Sequence, residues 1–321
     1  MNSWIYVTCS VILILLFRVY FVIARKYSIV DLPNHRTMHK GATIRGGGIV
    51  ISIAIIIFSL LSETPGWMFS FGMILIASVG FLDDVIDLSS KIRFPAQVVS
   101  ILFILADLEM FHLNLACLAL IVIVAAGILN AYNFMDGING MTGGYSLIVL
   151  FSLVFVNINV QYFISTSFLI VAILAVLTFN IYNFRNKAVC FAGDVGSLSV
   201  AFVVVYLLIK LIFESQQLGY LLFLTLYGID TVFTIVQRLA NKENIFEAHR
   251  KHLFQVIVRE TDMPHLYMSA IYMFIQALIN FMVILILPMP LENQMIYFGI
   301  ALVILSLIYI GLKKRFTSET V

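Results

Sequence analysis

The sequence predicts an all-α polytopic membrane protein, one domain over residues 1–321 with about eleven transmembrane helices. Two observations carry this. Of 321 residues, 62% are hydrophobic and 11% charged, with mean hydropathy +1.04, so polar surface is too scarce to cover a water-soluble fold. The apolar residues also come in successive stretches of about 20, the length that crosses a hydrocarbon core. Backbone at that depth must bond internally, and runs such as 11–17 and 49–61 are continuously apolar, which suits helices and excludes the alternating strands of a barrel.

The candidate spans are 3–24, 46–62, 66–82, 95–110, 114–132, 142–158, 160–180, 197–213, 218–236, 266–287 and 294–312. The first has no basic segment before it and no small-residue cleavage site after it, and Arg25 and Lys26 follow at once, so it reads as a retained helix and not a signal peptide. When these spans are threaded through a bilayer, every Lys and Arg except Arg18 and Lys210 falls on one side. By the positive-inside rule that side is the cytosol, leaving the amino terminus outside and the carboxyl terminus inside. Arg18 and Lys210 are read as the ionisable groups nearest mid-membrane. The opposite connections carry Glu63, Asp107, Glu109, Glu214 and Glu292 and look like plain turns. A net charge of +2 points to no nucleic-acid partner. Cys9, Cys117 and Cys190 are an odd set without CxxC spacing and read as small apolar residues.

Chemistry-bearing residues gather at the cytosolic ends of the spans. In segment 80–87, GFLDDVID, the adjacent Asp83 and Asp84 end a helix, Asp87 lies four residues beyond Asp83, and Lys91 and Arg93 follow. Cations there can hold a phosphate while a carboxylate positions or deprotonates an attacking group; an interfacial salt-bridge cluster is the plainer reading. Segment 130–140, NAYNFMDGING, packs Asn133, Asp136 and Asn139 around glycines, a composition for a base, a sugar or a metal shell. A helix stop explains Asn139-Gly140 better than it explains Asn133 and Asp136. In segment 191–197, FAGDVGS, Asp194 sits between glycines just before an apolar helix whose amino terminus is expected to attract phosphate, so Asp194 is the expected magnesium ligand. Segment 247–255, EAHRKHLFQ, sets His249 and His252 on one face if helical, beside Arg250 and Lys251; zinc would need a third ligand that no cysteine or HExxH pattern supplies. Segment 31–48 joins the first two spans with Lys40, Arg45 and a glycine triplet whose amides could form an anion nest, a plain basic loop being the competing reading.

In this order, each at a cytosolic helix end, the segments resemble the polyprenyl-phosphate N-acetylhexosamine-1-phosphate transferases, the glycosyl transferase family 4 that includes the phospho-N-acetylmuramoyl-pentapeptide transferases. The resemblance runs over residues 31–255, and PNHRTMHKGATIRGGG, NFMDGI and HRKHLFQ look most like the branch that initiates O-antigen and related polysaccharides. It implies an eleven-helix bundle with a cytosol-facing cleft in a bacterial inner membrane. There a UDP-N-acetylhexosamine gives its sugar 1-phosphate to undecaprenyl phosphate and releases UMP, with Mg2+ as cofactor. Carried over by motif, Asp83 and Asp84 lie near the attacking lipid phosphate and Asp194 at the magnesium site. Asn133 and Asp136 belong to the nucleotide and metal region, and His249 and His252 stand near the diphosphate. Lys40, Arg45, Lys91, Asn139 and Arg250 are further substrate-binding candidates. Family members often carry a second acid where this chain has Asn139, so Asp136 alone would hold that charge. A homodimer is compatible with the sequence. The rival reading, a transporter or flippase of a lipid-linked substrate, expects ionisable groups along a path through mid-membrane; a structural scaffold leaves the acid and glycine segments unexplained.

Overall fold

The computed structural model describes residues 3–31, 42–62, 64–244 and 249–318, and it is all-α apart from one tiny sheet. In chain order the helices are α1 (Ser3–Lys26), α2 (Ile49–Leu61), α3 (Trp67–Ile86), α4 (Ser90–Asp107), α5 (Leu115–Met135), α6 (Met141–Asn159), α7 (Thr166–Asn183), α8 (Gly193–Ser215), α9 (Thr225–Ala240), α10 (Leu253–Thr261), α11 (His265–Ile286) and α12 (Leu291–Ser318). Strands β1 (Val30–Asp31) and β2 (Thr43–Ile44) pair antiparallel, and Ile44 also bridges to Cys190. Among the described residues nine helices are long and apolar enough to cross a membrane, counting the 3-10 turn Leu218–Leu224 as the start of α9. The multi-pass, all-α expectation is met.

Each predicted span falls on a helix, with two departures in kind. At 13 residues, α2 is only about 20 Å long, because the glycine triplet before it forms a turn and does not extend the helix. The loop after α9 contains α10, which the hydropathy pattern missed because it is short and amphipathic, with Leu253–Val258 buried and Arg259 outward. The start of α4 is also earlier than expected: Pro95, read as the beginning of the span, sits inside the helix in its second turn, where it removes one backbone hydrogen bond.

The centre of the bundle is α8, buried along most of its length from Gly193 to Leu211 and packed against α2, α3, α5 and α6. A helix apolar on all sides belongs there. Between membrane helices, close packing and polar contacts replace the hydrophobic effect as the source of association. Small residues supply the first: a Cβ on Gly48 would lie 2.1 Å from the Gly196 Cα, and one on Gly72 would lie 2.7 Å from the Phe202 ring. Hydroxyl pairs supply the second, Ser52 with Ser199 at 2.7 Å and Ser59 with Ser70 at 2.8 Å, contacts worth about 1 kcal/mol each. By contrast α12 turns Ile296, Ile300, Val303 and Leu307 outward, as a lipid-facing helix should.

Candidate active site

The site begins with how α8 starts. Asp84 accepts the Asp194 amide at 2.9 Å and the Val195 amide at 3.2 Å, and its Oδ1 lies 2.7 Å from the Arg45 Nε. Its carboxylate has no exposed surface. Two expectations meet a different arrangement. Two of the first-turn amides of α8, expected to attract phosphate, are closed by a protein carboxylate from α3. Asp84, expected near the lipid phosphate, is buried against those amides and Arg45, where it holds the scaffold together. The geometry requires a glycine at 193, which has φ +71° and whose added Cβ would fall 2.2 Å from the Asp84 Oδ2.

The glycine triplet is likewise not an anion nest. Gly47 donates to the Phe191 carbonyl at 2.8 Å and Gly48 to the Ala192 carbonyl at 3.0 Å, while Phe191 donates to the Ile44 carbonyl. These bonds clamp the turn before α2 against the turn before α8 and so fix Arg45, whose carbonyl accepts the Tyr20 hydroxyl. Lys40, in the same connection, lies outside the described residues.

Asp83 is one step nearer the open surface. Its Oδ1 accepts the Leu88 amide at 2.6 Å, and its Oδ2 sits 2.7 Å from the Arg93 Nη1. That same nitrogen lies 3.1 Å from the Asp194 Oδ2, while the Arg45 Nη2 is 3.6 Å from the Asp194 Oδ1. Asp194 therefore stands between two guanidinium groups, with its carboxylate partly exposed. Asp87 does not join this group: α3 ends at Ile86, and Asp87 is an exposed left-handed residue. Lys91 is exposed two residues before Arg93 on α4.

From α5, Asn133 donates to the Ser197 hydroxyl at 3.3 Å. Asp136 caps α5; burial pushes its carboxyl up to about 6 against the opposing pull of Arg45. Asn139 is buried, and its amide donates to the carbonyls of Arg185 and Asn186, so it ties the α5–α6 turn to the α7–α8 connection.

The two histidines meet without the expected helix. His252 is the residue before α10 and His249 lies in the irregular segment ahead of it, with ring centroids 5.0 Å apart. The approach to α10 is fixed by Lys251, paired with Glu243, and by the Lys313 ammonium from α12, which donates to the Lys251 carbonyl. Burial, aided by His252, Arg238, Lys251 and Lys313, lowers His249 to about 4. Arg250 is half-buried in the same segment.

A cavity of about 530 Å3 unites these parts. Arg93, Asn133, Asp194, His249 and His252 line its polar end, and Phe94, Ile123, Ala126, Leu198 and Ile235 form an apolar wall. An amide pair, Asn130 donating to Gln97 at 2.8 Å, lies along it. Arg45, Asp83, Asp84, Lys91, Asp136, Asn139 and Arg250 are not among its lining residues.

Sequence reasoning missed Asp230, in the middle of α9 and buried, which accepts from His252, Tyr272 and Tyr309. The signal was there: a carboxylate inside a predicted span is expensive and deserves a role. The basic group Lys210 also proves paired, with Glu214 at 3.7 Å.

As for a metal, no three His, Cys, Asp or Glu side chains form a metal-holding group among the described residues. Magnesium needs no such cage, since it takes one or two carboxylates and completes its shell with phosphate oxygens and water. The Asp83 and Asp194 carboxylates already converge on a single cationic nitrogen, so the oxygen donors present fit that ion.

The fold and this cavity define an all-α multi-pass membrane protein with a cavity lined by both charged and apolar side chains. Comparison with known proteins gives the family. The sequence model of glycosyl transferase family 4 matches residues 66–212, from α3 into α8. A Bacillus subtilis protein named as a probable undecaprenyl-phosphate N-acetylglucosaminyl 1-phosphate transferase is 30% identical, the match covering 72% of this chain and 70% of that one. An undecaprenyl-phosphate alpha-N-acetylglucosaminyl 1-phosphate transferase of Thermotoga maritima is also 30% identical, over 74% and 76% of the two chains. A phospho-N-acetylmuramoyl-pentapeptide-transferase of Staphylococcus haemolyticus is 28% identical, over 67% and 77%. The chain belongs to glycosyl transferase family 4.

Proposed function

We propose that this protein transfers N-acetylhexosamine 1-phosphate from a UDP-sugar to undecaprenyl phosphate, releasing UMP and leaving a lipid-linked sugar diphosphate, the first intermediate of a cell-surface polysaccharide, on the cytosolic face of a bacterial inner membrane. The observation that carries this reading is the cavity with an apolar wall and a charged end, where Arg93 and Asp194 lie beside the histidines. A polyprenyl tail suits the wall, and its phosphate suits the charged end. Relatives named for N-acetylglucosaminyl transfer support an N-acetylhexosamine donor.

Both substrates are anions, and their approach must be screened before a phosphate oxygen reaches the donor phosphorus. Arg93 and Arg45 supply fixed positive charge on either side of Asp194. Asp83 aims Arg93 through the shared nitrogen, and Asp84 fixes the backbone on which Asp194 rides. Asp194, with Asp83 converging on the same point and Asn133 lining the same cavity, would hold Mg2+, which on binding would supply a Lewis acid for the phosphate oxygens. The transporter reading gains no path from Asp230, because five donors surround its carboxylate and no second intramembrane acid continues the line among the described residues.

The test is the fate of the sugar-bearing phosphate. With a donor labelled at that phosphorus, label should enter the lipid fraction while unlabelled UMP is released, and chelation of magnesium should stop the reaction. Release of labelled UDP would mean attack at the sugar carbon and would overturn the proposal.

A further inference from the structure

We propose that His252 is the proton acceptor of the transfer and that Asp230, Tyr272 and Tyr309 are the positioning residues that hold it in its working tautomer; the proposal rests on the function given above. Asp230 Oδ1 lies 3.1 Å from the His252 Nδ1 and also accepts the Leu253 amide at 3.0 Å and the Tyr309 hydroxyl at 3.1 Å. Its Oδ2 accepts the Tyr272 hydroxyl at 2.9 Å. Helices α9, α11 and α12 and the start of α10 thus converge on one buried carboxylate.

An ionised carboxylate can only accept, so the His252 Nδ1 must carry the hydrogen. The neutral ring then has its lone pair on Nε2. That atom is buried and has no hydrogen-bond partner among the described residues, while His252 lines the cavity with Arg93, Asn133 and Asp194. The ring cannot swing freely, because Phe134 stacks on it at 6.2 Å and Phe254 at 6.1 Å between centroids. An unpaired buried acceptor is costly, and substrate is the partner that would repay it.

Other candidates are already engaged. Asp84 is taken up by the α8 amides and Arg45, and Asp83 by Leu88 and Arg93. His249, held near 4, is a weak acceptor.

In the step, the proton of the monoanionic lipid phosphate passes to the His252 Nε2 as the freed oxygen bonds to the sugar-bearing phosphorus. The bond from that phosphorus to the UMP oxygen breaks, and UMP departs with the electron pair. The imidazolium keeps its Nδ1–H on Asp230 until Nε2 gives its proton to solvent or departing UMP.

The experiment uses the full chain in detergent or nanodiscs with undecaprenyl phosphate and the UDP-sugar the wild type accepts. Asp230→Asn should lower kcat about 100-fold or more, by presenting an amide N–H that favours the wrong tautomer, while KM for the donor stays within about twofold. His252→Gln should lose a similar factor, and the double variant should be no worse than the worse single one. Tyr272→Phe removes one donor with little change in packing. It should cost several-fold in kcat in the wild type and nothing in the His252→Gln background, which keeps the test open if Asp230→Asn does not fold. Wild-type kcat in a folded Asp230→Asn or in Tyr272→Phe, or losses that multiply with that of His252→Gln, would overturn the proposal. A wild type that transfers no sugar phosphate from any UDP-sugar would instead overturn the function on which it rests.

Discussion

Asp84 and Asp194 are both acids at the same corner, and they should fail differently. Removing one partner of a buried ion pair costs about 3–5 kcal/mol, and Asp84→Ala would strand Arg45 and two amides of α8 together. We expect that variant to lose most of its folded yield. Asp194→Asn keeps the shape and the amide bonds, so its melting temperature in detergent should stay within a few degrees while turnover falls about 100-fold or more. Equal melting temperatures for the two variants would mean that Asp84 is not the cap described here. At this scale the sequence was half legible. The residue types named both acids, yet which of an adjacent pair turns inward depends on a helix that starts 110 residues later, and no local pattern carries that.

Between elements, a Cβ added at Gly48 would meet the Gly196 backbone more closely than one added at any other described glycine would meet its neighbours, so the starts of α2 and α8 nearly touch. Gly48→Ala should force them apart, lowering the melting temperature and reducing activity through the displaced Arg45; an unchanged melting curve would show that the turn gives way cheaply. The segment before α10 makes a pH prediction. His249 is depressed to about 4, below the ordinary 6.5, so it favours folding above about 6.5 and that contribution is lost as pH falls toward 4. Asp136 is raised to about 6, so its contribution has the opposite sign: present below about 4 and lost as pH rises through 6. The two offset each other in one window. His249→Gln should therefore flatten the loss of stability on acidification from pH 6.5 to 4, and Asp136→Asn should steepen it, in melts taken across that range. Element positions were well read from hydropathy, whereas α10 was not, because a short amphipathic helix leaves no signal in a search for long apolar runs.

For the whole molecule, the positive-inside pattern predicts an amino terminus outside and a carboxyl terminus in the cytosol. A reporter active only in the periplasm should be silent when fused after Val321 and active when fused into the Met110–His112 turn between α4 and α5. The reverse result would put the site on the face opposite to the proposed cytosolic substrates. The class of fold was legible from composition alone, since apolar excess at this level leaves lipid as the only solvent. The Asp230 cluster was not, because its meaning lies in four helices meeting, each contributing one unremarkable side chain.

That meeting has a consequence for biogenesis. The acids and arginines of the site come from the turn before α2 and from α3, α4 and α8, whereas the ring of His252 is aligned by residues from α9, α11 and α12. During synthesis the first set emerges and inserts well before Tyr309. On the proposed mechanism a nascent chain would gather its charged groups early yet lack an aligned His252 until α12 enters the bilayer, so the order of synthesis would itself delay the chemistry.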